Sequence, residues 1–185
     1  MSSPSPERIT EFRARSNDGV VMGDAEIPAP GEQRAQQIIE MIDAAFSRVT
    51  LGNGIGLHQA QGLDDYADER TCAALRAKDE KADWHRIDRS TLNACHSSLS
   101  FFDAEGMRFH LPAFLIASLL QDEDYGTIYR LTDLSSHNLE KFKLLDLAQR
   151  ESVRCYINHL TNSPDCRIKQ KEAVQALAYW SLPAP

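Results

Sequence analysis

The sequence predicts a mainly α-helical domain, α+β at most, with a small β-hairpin packed on a buried helix. Three observations carry that expectation. Apolar residues recur at helical spacing in two separate stretches, Ile38/Ile42/Ala45/Phe46/Val49 and Val153/Ile157/Leu160. Between them, Met107, Phe109 and Leu111 alternate with Arg108 and His110, as on a strand with one buried face. The run Phe114 to Leu120 is then apolar almost all round, as in a helix covered on every side. The strand–helix alternation of a doubly wound sheet is missing.

A chain of 185 residues with 42% apolar and 25% charged residues is long enough for one globular domain with a core of its own. That domain is expected over residues 33–182, behind a partly flexible tail, residues 1–32, which holds Pro4, Pro6, Pro28 and Pro30. The formal net charge of −7 argues against a nucleic-acid surface, which needs clustered Lys and Arg. It is compatible with a basic protein partner. Cys72, Cys95, Cys155 and Cys166 are scattered without a CxxC pair, which fits a reducing compartment. The start of the chain shows no secretory signal. The longest apolar run, Leu111–Leu120, is broken by Pro112 and Ser118 and is too short to cross a bilayer. A cytoplasmic protein is therefore expected, with no membrane partner.

Along the chain, the first helix spans about Gln33 to Val49 and ends in Leu51-Gly-Asn-Gly-Ile-Gly56, read as a cap and turn. Helices are expected at Leu57–Tyr66 and Glu69–Lys81, the latter with Cys72 and Leu75 inward. Trp84 and Ile87 read as core anchors on a connecting loop, and Asp88 or Ser90 as the cap of a short helix through Leu92 and Cys95. Leu99, Phe101 and Phe102 form the first strand of the hairpin, Asp103-Ala-Glu-Gly106 its type I turn, and Met107–Leu111 its second strand. Pro112 then opens the buried helix, which Asp122-Glu-Asp124 closes. Tyr125–Leu131 and Phe142–Leu145 read as extended. Asp146 and Gln149 form a capping box for a helix to about Leu160. Ser163-Pro164 caps a final helix carrying Val174, Leu177, Ala178 and Trp180.

The segment Phe101-Phe-Asp-Ala-Glu-Gly-Met-Arg-Phe-His-Leu-Pro-Ala-Phe114, with Leu51-Gly-Asn-Gly54 and Asp79-Glu-x-x-Asp83-Trp84, resembles an uncharacterised family of bacterial proteins, a domain of unknown function. The likeness covers roughly residues 35–160. It implies a shared fold and a bacterial source, and it brings no activity, cofactor or site residue.

Four acidic residues are the sharpest chemical candidates. Asp65/Asp68 and Glu80/Asp83 place carboxylates at i and i+3, a spacing that can converge on Mg²⁺ and is similar to that of all-α nucleotide pyrophosphohydrolases. The competing explanation is a solvated helix face, because Arg70, Arg76, Lys78 and Lys81 are interleaved. Cys155-x-x-x-His159 with Cys166 could hold zinc, but buried cysteines more often act as small hydrophobes. Cys95-His96 is a neighbouring pair in sequence only, and a Cys–His couple is made in space. Arg108 and His110 have no role in the hairpin core and are candidates to face a partner.

Three function classes follow. The acidic charge favours a non-enzymatic, protein-binding role, such as neutralising a basic toxin as an immunity protein does, with no cofactor. The alternative is a Mg-dependent all-α hydrolase of nucleotides or phosphoesters, acting through Asp65, Asp68, Glu80 and Asp83. An interaction module using Tyr179 and Trp180 is a third possibility.

Overall fold

A computed structural model describes residues 30–121, 125–162 and 169–182. Most of the expected tail, the Asp122–Asp124 stop, the Ser163-Pro164 cap and Cys166 lie outside these residues. The described residues form nine α-helices and three short 3₁₀ turns, with no strand among them. We label the helices α1 (Pro30–Phe46), α2 (Leu57–Asp64), α3 (Glu69–Lys78), α4 (Arg89–Ala94), α5 (Ala104–Gln121), α6 (Thr127–Thr132), α7 (Ser136–Leu139), α8 (Leu147–Thr161) and α9 (Gln170–Trp180). No helix among the described residues is long and apolar enough to cross a membrane.

Helix α1 starts at Pro30, whose fixed φ and missing N–H suit a first helical position. Its buried stripe, Ile38, Ile39, Ile42 and Phe46, packs on α5 and α8. The capping box of α8 is present, with Gln149 N–H donating to Asp146 Oδ1 at 2.9 Å and the Gln149 side chain returning to the Asp146 amide at 3.1 Å. Asp88, rather than Ser90, caps α4 through the Thr91 amide at 2.8 Å. Trp84 and Ile87 are buried, as expected, with Trp84 in a 3₁₀ turn and its indole N–H donating to the Phe46 carbonyl at 3.0 Å. At the other end of the domain, the Trp180 indole donates to the Leu131 carbonyl at 2.9 Å. The last helix turns a different stripe inward from the expected one: Ala173, Ala176 and Trp180 are buried while Val174 is exposed.

The expected hairpin is absent, and the domain is all-α. His96–Ser100 is a 3₁₀ turn, and Ala104–Gln121 is one continuous helix. Asp103 starts this helix instead of a turn. Its Oδ1 accepts the Gly106 amide at 2.8 Å, and its carbonyl accepts the Met107 amide at 2.8 Å, the first i→i+4 bond. The alternation of Met107, Phe109 and Leu111 is a sample of a helix that is apolar on every side. Of the intervening polar residues, Arg108 is half-buried and His110 is inside. Arg108 Nε donates to Gln149 Oε1 at 3.2 Å, and His110 is wholly buried with its ring stacked on Phe102 at 4.4 Å.

Pro112 lies within α5, not at its start. It deprives the Arg108 carbonyl of its helical donor, a penalty of about 3 kcal/mol that the packing around α5 must outweigh. Phe109 and Phe114 alone contribute about 1.5–3 kcal/mol each by burial. The other two expected extended segments are also non-strand. Gly126, at φ +72°, leads into α6, and Phe142 ends a 3₁₀ turn.

Candidate functional site

The Leu51–Gly56 loop and the start of α5 lie against each other, and this contact positions everything around it. Asp103 Oδ1 accepts the Ile55 amide at 3.0 Å as well as that of Gly106. Gly52 takes a left-handed φ of +56° and its carbonyl accepts from Arg76 at 3.0 Å. The loop delivers the chain into α2 at Gly56, where a side chain would collide with the Asp79 carboxylate.

Asp79 follows α3 and is buried beneath the start of α2. Its Oδ1 accepts the His58 amide at 2.7 Å and lies 2.8 Å from His58 Nδ1; the Gln59 amide reaches Oδ2 at 3.4 Å. One carboxylate thus caps α2 and fixes the His58 ring. The ring is about a third exposed, its side chain at 37%.

His58 and Asp79 line a cleft of about 450 Å³, together with Lys78, Glu80, Lys81 and Arg86. The wholly buried His110 is also among its lining residues. The His110 Nδ1–H donates to the Gly106 carbonyl at 2.7 Å, and its Nε2 is buried with no hydrogen-bond partner. Burial drives the His110 pKa down to about 4, against the raising effects of the Gly106 bond and the Asp79 charge. The ring is therefore neutral near pH 7, and Nε2 is a bare acceptor.

The predicted acidic residues are placed as follows. Asp65 ends α2 and accepts from Gln61 at 3.2 Å. Asp68 caps α3 through the Thr71 amide at 2.7 Å, and these bonds from Thr71 hold its carboxyl below the usual range. Burial raises the Glu80 pKa, but the amides of Ala82, Asp83 and Lys81 and the charge of Arg86 outweigh it and lower the value. Asp83 Oδ1 lies 2.7 Å from His85 Nδ1. Each carboxylate thus has a local structural partner. No group of three or more His, Cys, Asp or Glu side chains among the described residues is arranged to hold a metal ion.

His85 is itself pinned from both sides. Its Nε2 bonds the buried Asp43 of α1, and its ring stacks on Trp84 at 3.6 Å. Asp43 Oδ2 is buried without a hydrogen-bond partner. Cys155 Sγ lies 3.6 Å from Glu151 Oε1 one turn back on α8, and burial followed by the Glu151 charge raises its pKa. Cys95 is also buried, and burial with the charges of Asp79 and Asp65 pushes its pKa up to about 11, so it stays a thiol. His96 Nδ1 lies 3.3 Å from the Asn93 carbonyl.

The His58–Asp79 couple and the buried His110 escape the sequence reading for different reasons. His58 and Asp79 are far apart in the chain, and the one local signal is Gly56, whose missing side chain admits the carboxylate. His110 is misplaced by the strand pattern.

A model of a family of unknown function, DUF6714, matches residues 34–183, and this chain belongs to that family. No curated protein and no solved structure matches it.

Proposed function

We propose that this protein works by binding a basic protein partner, in the manner of an immunity protein that neutralises a toxin. The observation that carries this reading is Tyr66, at the tip between α2 and α3. The residue is 97% exposed, and its backbone holds a left-handed φ of +57°. A non-glycine residue in that region costs about 1–2 kcal/mol, a strain that clusters at functional positions. Exposed tyrosine is also a favoured anchor at protein interfaces.

The flanking charge supports a basic partner. Asp65, Asp68 and Glu69 are exposed beside Tyr66, with Asp64 half-buried, against one exposed cation, Arg70. Such a surface speeds encounter with a positive partner and selects against acidic ones.

The test is protection and binding together. The chain is co-expressed with the product of each gene flanking its own, and growth is scored. One of these products is expected to be toxic alone and harmless with the intact chain. Tyr66→Ala is expected to weaken the purified complex by about tenfold or more, as loss of an interface anchor does. Absence of protection against every flanking product, or undiminished binding by the variant, overturns the proposal.

A further inference from the structure

Outside the Tyr66 tip, the cleft between α2 and the turn after α3 has its own chemistry. Three cations line it, Lys78, Lys81 and Arg86, against two carboxylates, Asp79 and Glu80. Both carboxylates are already engaged. Asp79 is tied to His58 and to the α2 amides, and Glu80 accepts three backbone N–H groups at 2.8–3.2 Å with Arg86 at 3.6 Å from its other oxygen. The cleft is thus a locally cationic recess on a chain of net charge −7. The lining also includes His110, whose buried Nε2 is an acceptor with no hydrogen-bond partner. A buried acceptor without a donor is costly, and a ligand that supplies the donor recovers that cost.

Few small ligands offer anionic oxygens and an O–H donor on one group. A protonated phosphate does: its charged oxygens suit Lys78, Lys81 and Arg86, and its P–O–H suits a histidine acceptor. Sulfate has the same shape and no hydrogen to give. A cleft of about 450 Å³ also has room for more than the phosphate group itself.

We propose that this cleft binds a hydrogen-phosphate group, free or as a phosphomonoester, and that His110 Nε2 accepts its hydrogen. The site is separate from the Tyr66 surface and stands or falls independently of the partner-binding reading. The α2 amides are not part of it, because Asp79 already takes them.

The test is titration of the full chain with inorganic phosphate, glycerol 3-phosphate and sulfate, followed by amide chemical shifts and calorimetry. The pH is held near 6, where a phosphomonoester is about half protonated. Phosphate or its ester is expected to saturate the cleft about tenfold more tightly than sulfate, and the tighter of the two identifies the source. His110→Phe keeps a ring against Phe102 and removes the acceptor; it is expected to erase the preference over sulfate. Lys81→Ala lies on the surface and is expected to weaken every anion several-fold, which keeps the test decisive if the His110 variant does not fold. No saturation by phosphate or its ester at millimolar concentration, or equal affinity for sulfate, or an unchanged preference in a folded His110→Phe, overturns the proposal.

Discussion

Gly54 and Gly106 meet backbone to backbone: a Cβ at Gly54 would lie 2.5 Å from the Gly106 amide nitrogen, and one at Gly106 would lie 2.4 Å from the Ile55 carbonyl oxygen. Neither obstacle is a flexible side chain, so the loop and α5 must separate to admit a methyl group. Gly54→Ala and Gly106→Ala are each expected to lower stability by about 1–3 kcal/mol, the range for overpacking. Urea denaturation measures this. Gly31, with open space around it at the start of α1, is the control, and Gly31→Ala is expected not to lower the midpoint.

His110 makes stability depend on pH. Its folded pKa, about 4, is below the unfolded value of 6.5, so the unfolded chain binds the extra proton first. The contribution is intact above about pH 6.5 and is lost progressively as pH falls toward 4. The full loss is about 3 kcal/mol at order-of-magnitude level. Denaturation midpoints of the native chain and His110→Phe at pH 7 and pH 5 check it: the native chain is expected to lose more between them. Equal losses would sink the assignment.

Removing His85 leaves Asp43 buried without its hydrogen-bonded partner. His85→Ala is expected to destabilise the fold by about 1–3 kcal/mol, as when a buried acceptor loses its hydrogen-bond partner. His85→Ala combined with Asp43→Leu is expected to recover part of that loss, because no stranded carboxylate remains. Thermal melts of the two variants separate the outcomes.

The Cys95 thiol, raised to about 11 and buried, is expected to resist alkylation in the folded protein at pH 8. Mass spectrometry after iodoacetamide treatment should find it labelled quickly in urea and slowly without it. Rapid labelling of the native protein would contradict both its burial and its raised pKa.

Much of the helical frame was legible in local chemistry. The α1 stripe, the Asp146–Gln149 box, the Asp88 cap and the Trp84 anchor all follow from neighbours within one or two turns. The error at residues 99–111 has a specific physical source. Alternation separates strand from helix only when one face is solvated, and α5 has no solvated face along its middle. Asp103-x-x-Gly106 then suits a turn or a helix start equally well, and what decides is the Ile55 amide, which comes from a loop far away in the chain. The same distance hid the cleft. Nothing near His58 in sequence announces Asp79, and nothing in the strand reading of His110 would bury its ring.

The two tryptophans, the full complement of the chain, are each fastened to a different part of the fold. Trp84 ties the end of α1 to the turn before α4, and Trp180 ties α9 to α6. The protein therefore carries a native fluorescent reporter in each region. Variants that keep one indole at a time would show whether the α1–α4 region and the α6–α9 region melt as a single cooperative unit or in succession, without any added label.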